Sequence, residues 1–155
     1  MSGKLKSFKY KYYEDGYDED GEKIPNIPIL YIRVETSRGR ATGPAIIDTG
    51  FDGGIYPNIP IIRIFRDLKP IKIKRLENPL YGPIPCEIYR AKTSIVKIKS
   101  KKLIDIGYVN VYIPTEPDFI SDEVLVGREM LNKIKFCLDG SWVEIVEIGS
   151  SSIDR

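Results

Sequence analysis

The chain contains no histidine. That absence removes Ser-His-Asp and Cys-His catalytic arrangements and the usual zinc sites. Any acid–base work falls to carboxylates, Lys, Tyr or Cys. Glutamine is missing too, while Ile, Lys and Glu abound, a balance that matches the thermophile tendency to avoid thermolabile amides. Two cysteines, Cys86 and Cys137, make neither a disulfide framework nor a metal cluster, and a reduced, cytoplasmic setting is the simplest reading. No apolar stretch reaches the length of a membrane span, and the polar opening Met1-Ser-Gly-Lys-Leu-Lys6 lacks the apolar core of a signal peptide. Nor is charge of one sign concentrated. Lys and Arg number 24 against 22 Asp and Glu, and they are spread along the chain, which is no nucleic-acid footprint. No cofactor, metal, nucleic acid or membrane partner is expected.

What is present suits one globular domain. The 155 residues allow a sizeable core, and 42% hydrophobic with 30% charged residues place the chain away from disorder. Phe8 to Tyr13 alternates apolar and basic residues, as a half-buried strand does. Glu14 to Glu22 is acidic. Gly16 and Ile27 stand where a calcium loop needs its first Asp and its last Glu, so a solvated hairpin turn is expected. Ile27 to Glu35 and Thr42 to Ile47 read as strands joined by a turn, with Pro44 at the entry or on an edge. Ile55-Tyr56 resumes a short strand, and Ile61 to Leu68 fits either a strand or a helical turn. Ile71 to Leu76, Cys86 to Ile98 and Leu103 to Ile113 read as strands, the last two joined by the basic turn Lys99 to Lys102. Val124 to Val126 is a short apolar strand, and Gly127 to Lys133 opens one short helix. Ile134 to Leu138 and Trp142 to Ile148 form a hairpin around Asp139-Gly140. These patterns describe one mostly-β domain over residues 27–148, an N-terminal extension over 1–26 and a loose tail over 149–155.

The most unusual stretch is Ala45-Ile46-Ile47-Asp48-Thr49-Gly50-Phe51-Asp52. An apolar run ends abruptly in a carboxylate, a hydroxyl and a glycine, so a buried strand delivers Asp48 to a turn. A carboxylate in that position is costly to desolvate, and it needs either a compensating partner or a chemical task. Asp-Thr-Gly alone is weak, since chance places it in roughly a few per cent of chains of this length. About eighty residues on stands a second unusual stretch, Leu125-Val126-Gly127-Arg128-Glu129-Met130-Leu131.

With this pair the chain resembles the retropepsin-like aspartic proteases. In that family an apolar strand ends in Asp-Thr/Ser-Gly, and a later apolar-apolar-Gly-Arg-Asp/Asn-Leu-Leu stretch precedes a short helix. The resemblance covers roughly Ile27 to Ile148. It implies an all-β, retropepsin-like closed β-barrel with a flap hairpin and one short C-terminal helix. It implies an aspartic endopeptidase acting on a peptide or protein substrate without a cofactor. Two carboxyls that share one proton can both activate a water and protonate a leaving nitrogen. This chain carries a single Asp-Thr-Gly, so a homodimer is implied, with Asp48 of each subunit meeting at the two-fold axis.

By the same resemblance, Asp48, Thr49 and Gly50 form the catalytic turn. Thr49 hydrogen-bonds across the axis, and Gly50 lets backbone approach the carboxylate. Phe51, Asp52 and Gly53 contact substrate, and Asp52 pairs with Arg128, whose planar fork suits a carboxylate. Gly127 and Arg128 support the turn. Tyr81, Gly82, Pro83 and Ile84, with Pro85 and Cys86, form the tip of a flap that closes over bound peptide. Cys86, exposed at such a tip, reads as a small apolar residue rather than a nucleophile. Two departures from the family pattern stand out. Phe51 occupies a position that usually holds Ala or Ser, and Glu129 replaces Asp or Asn. A bulky ring beside the dyad and a proline-containing flap also fit a catalytically weak or inactive peptide-binding or assembly module on the same fold. A third possibility is an unrelated β-fold in which Asp48 caps an Asx-type turn.

Overall fold

The structure, a computed structural model, describes residues 6–147. Among them the elements run β1 (Lys6–Lys11), β2 (Ile29–Thr36), β3 (Gly39–Ile47), β4 (Ile55–Tyr56), α1 (Ile59–Arg63), β5 (Lys72–Asn78), β6 (Gly82–Val96) and β7 (Leu103–Pro114). A 3-10 turn (Pro117–Phe119), β8 (Leu125–Val126), α2 (Arg128–Leu131), β9 (Lys135–Leu138) and β10 (Trp142–Glu147) follow. The fold is all-β with two short helices. The expected tail over 149–155 and the first five residues lie outside the described residues.

Seven strands pair in the order β2-β3-β8-β4-β7-β6-β5, and β2 pairs with β6 as well. The pairing path therefore returns to β2 and leaves β5 as an edge. β3–β8 and β4–β7 are parallel, and the other contacts of this sheet are antiparallel. A smaller sheet, β1-β10-β9, joins the beginning of the described chain to its end. The two sheets are tied where Tyr10 donates its hydroxyl to the carbonyl of Val96 and Lys97 pairs with Glu147. The acidic segment after β1 is the expected hairpin turn. Bridges Tyr13↔Ile27 and Tyr17↔Lys23 close it, and the Asp18 carboxylate accepts from the backbone N–H groups of Asp20 and Glu22 at 2.9 Å each.

Alternation places Leu30, Ile32 and Val34 of β2 in the main core with Ile55, Val109, Val111 and Met130. Each such side chain contributes about 1.5–3 kcal/mol on burial. A second cluster, Phe51, Tyr56, Ile84, Cys86, Ile88 and Tyr112, packs separately beneath the cleft described below.

Two expectations are corrected, and one of two alternatives for Pro44 is settled. The ambiguous segment Ile61 to Leu68 begins inside a helix, α1, so α2 is not the sole one among the described residues. Asn58 caps α1 by accepting from the N–H of Ile61 at 3.4 Å, and Pro60 occupies its first turn, where the missing N–H is no loss. Of the two places expected for Pro44, the entry of β3 or an edge, it takes the edge. The N–H groups of Ile46 and Asp48 point to β8, so by the two-residue period the nitrogen of Pro44 faces the same side, where no strand among the described residues pairs with it. The flap tip is Pro79-Leu80-Tyr81, because Gly82 to Cys86 already pair with Asn78 to Lys74. Cys86 is accordingly buried rather than exposed.

Candidate active site

The parallel pair β3–β8 brings the two unusual stretches together. Ile46 and Ile47 lie beside Leu125 and Val126, and the N–H of Asp48 donates to the Val126 carbonyl at 2.9 Å. Both strands then stop at once. Asp48 begins a turn in which its Oδ1 accepts from the Gly50 N–H at 3.0 Å and its carbonyl accepts from the Phe51 N–H at 3.2 Å. Asp48 is half-buried, whereas Thr49 and Gly50 are exposed at the apex.

The start of α2 is bonded to this turn at four points. The N–H groups of Gly127, Arg128 and Glu129 donate to the carbonyls of Gly54, Phe51 and Gly53 at 2.8, 2.8 and 3.1 Å. Arg128 Nη1 donates to the Thr49 carbonyl at 2.7 Å. Such close approach needs glycine. A Cβ on Gly127 would stand 2.4 Å from the Gly53 carbonyl oxygen, and one on Gly54 would stand 2.4 Å from that of Asn110. The Glu129 Oε1 accepts from the Asn110 N–H of β7 at 3.1 Å, which ties the start of α2 to that strand as well.

The turn opens onto a cleft of about 950 Å³ beneath the β5–β6 hairpin. Of the expected residues, Asp48, Gly50, Phe51, Asp52, Tyr81, Ile84 and Arg128 line it. Thr49, Gly53, Gly82, Pro83 and Gly127 do not, and Gly53 and Gly127 are buried behind the turn. The expected Asp52–Arg128 pair does not form. Among the described residues the ion pair is Lys97–Glu147, and the Arg128 fork is aimed at the Thr49 carbonyl while Asp52 stays exposed. Sequence reasoning missed Lys74 and Leu76 on the inner face of β5 and the stretch from Asp118 to Ser121 on the opposite wall. The alternation of residues 71–76 carried a signal for the first two, because one parity of a flap strand must face what the flap covers.

Phe51 turns under the cleft and is 7% exposed. It meets Tyr112 edge-on at 5.4 Å and Tyr56 at 6.4 Å between ring centroids. Tyr56 donates its hydroxyl to the Phe119 carbonyl of the opposite wall, and burial pushes its phenol up to about 12. Burial likewise pushes the Cys86 thiol up to about 11, which leaves it protonated and unreactive at neutral pH. Burial also raises the Tyr112 phenol, with the nearby Lys74 opposing it. The floor of the cleft is therefore neutral and aromatic, and Asp48 and Asp52 stand at its turn.

An all-β fold that brings an Asp-Thr-Gly turn and a Gly-Arg helix start together beneath a hairpin defines a recognisable class. Among solved structures, the chain is similar to a retropepsin-like aspartic protease from Rickettsia conorii, with a TM-score of 0.52 and 16% identity over 94% of this chain and 96% of the other. The chain has the fold of the retropepsin-like aspartic proteases. No family model matches the sequence, and no curated protein matches it.

Proposed function

We propose that the protein is an aspartic endopeptidase active as a homodimer, in which the two Asp48 carboxyls face each other across the axis. The observation that carries this reading is the placement of Asp48. It stands at an exposed turn braced by Arg128, at the edge of a hairpin-covered cleft, and among the described residues no second carboxyl is bonded to it. A second copy supplies the missing half. Two carboxyls held close cannot both ionise, so the pair keeps one proton. The ionised member takes a proton from a water, whose oxygen attacks the peptide carbonyl, and the protonated member gives its proton to the leaving nitrogen. The pair titrates as a unit.

The β5–β6 hairpin, with Tyr81 at its tip, serves as the flap. It excludes water and presents Lys74 and Leu76 to the peptide. Phe51 packs into the floor rather than standing in the cleft, which favours turnover over a binding-only role. Both cysteines are free, which fits a reducing cytoplasmic setting.

The purified full chain should cleave a peptide library under mildly acidic conditions, with a bell-shaped pH profile set by loss of the shared proton at high pH and gain of a second at low pH. Asp48→Asn should abolish cleavage while the folded dimer persists. Cleavage that survives this substitution would refute the proposal.

A further inference from the structure

A second cavity, of about 390 Å³, lies beside the free edge of β3 and shares no lining residue with the cleft. That volume is ample for one or two side chains. Its walls are aliphatic, with Ile29, Ala45, Ile61 and Val124 among them. Its mouth carries Glu14, Asp15, Asp122 and Glu123, all exposed. Among the described residues no Lys or Arg lines it, and none of these four carboxylates has a cation within ion-pair distance. The nearby Arg33 turns its Nε to the Thr42 hydroxyl at 3.1 Å.

The backbone at this rim is open. β8 covers β3 only at Ile46 and Ile47, so the outward N–H and carbonyl of Thr42 have no strand partner on that side among the described residues. Pro44 offers no N–H, which stops a continuous ladder from growing along the edge. A guest strand can bond at Thr42 and must gain the rest from a side chain placed in the cavity. Space for it is visible at Gly43, where an added Cβ would meet nothing within 4 Å.

We propose that this cavity is a docking site for an extended segment of a protein partner that carries an aliphatic residue flanked by Lys or Arg. The aliphatic side chain enters the apolar cavity, and the flanking cations meet the four carboxylates, which also favour encounter with a basic partner. The site stands apart from the peptidase reading and does not rest on it.

The test uses the full chain bearing Asp48→Asn, so that no peptide is consumed, and a fluorescein-labelled peptide Gly-Lys-Ile-Lys-Ile-Lys-Gly followed by anisotropy. Saturable binding is expected. It should weaken on the order of tenfold in the double variant Asp122→Lys, Glu123→Lys, and to a similar extent in Gly43→Ile, which fills the cavity from an unstrained position. Peptides with Glu for Lys, or Ser for Ile, should not bind. Binding unaffected by Gly43→Ile would place the peptide elsewhere, including the cleft, and overturn the proposal. Equal binding of the Glu peptide, or no saturable binding up to about 1 mM, would overturn it too.

Discussion

Gly127 shows how closely the site is built at single residues. The nearest atoms to an added methyl are backbone carbonyl oxygens of Gly53 and Phe51, at 2.4 and 2.5 Å, and neither can rotate away. Gly127→Ala should therefore destabilise the chain by about 1–3 kcal/mol. The urea midpoint should fall with an unchanged slope, while Asp48→Asn, at a half-exposed position, should leave it nearly in place. Residue identities made the turn legible. Asp48-Thr49-Gly50 and Gly127-Arg128 stand out because strand and turn preferences collide there. The target of Arg128 was not legible, because its acceptor is the backbone carbonyl of Thr49, and no side-chain pattern announces a carbonyl. Opposite charge pointed to Asp52 instead. For Phe51, ring size was readable and ring direction was not.

At the scale of elements, alternation revealed nearly every strand, and turn formers were poorer guides to where strands end. Five of them, Asn78, Pro79, Gly82, Pro83 and Pro85, are spread across the flap, and the expected tip fell a few residues late. Pro83 and Pro85 are tolerated inside β6 because of where their nitrogens face. The Pro85 carbonyl accepts from Thr115, just past the end of β7, so this side of β6 no longer has a ladder to lose. The same pairing limit has a dynamic consequence. β5 is an edge strand, largely exposed, with Ile71 and Ile73 in water nearby, whereas β6 from Ile88 onward has partners that continue along β7. Local opening is easiest where few apolar contacts are lost. In native-state hydrogen exchange the amides of Lys72–Asn78 should exchange well before those of Ile88–Val96. Equal protection would mean that the hairpin does not open independently.

For the whole molecule, the succession of strand patterns made the mostly-β character readable. They gave no sign that β1 pairs with β10 across almost the entire chain, because non-local pairing leaves no local pattern. Under the proposed function, the site acquires its meaning only above the single chain. If Asp48 must meet a second Asp48, activity per protomer should fall on dilution in step with the fraction of dimer measured by sedimentation at the same concentrations. Activity per protomer that stays constant in fully monomeric protein would exclude the two-chain site.

Lys6 and Glu147 are direct partners in the smaller sheet, so the described chain nearly closes on itself. A linker of a few residues can join such antiparallel neighbours. New ends can then be opened in the exposed turn at Ser100-Lys101. Such a circular permutant would keep every strand pair while the ribosome made β7 first and β6 last. The order in which this fold is synthesised is thus separable from the order in which it is wired.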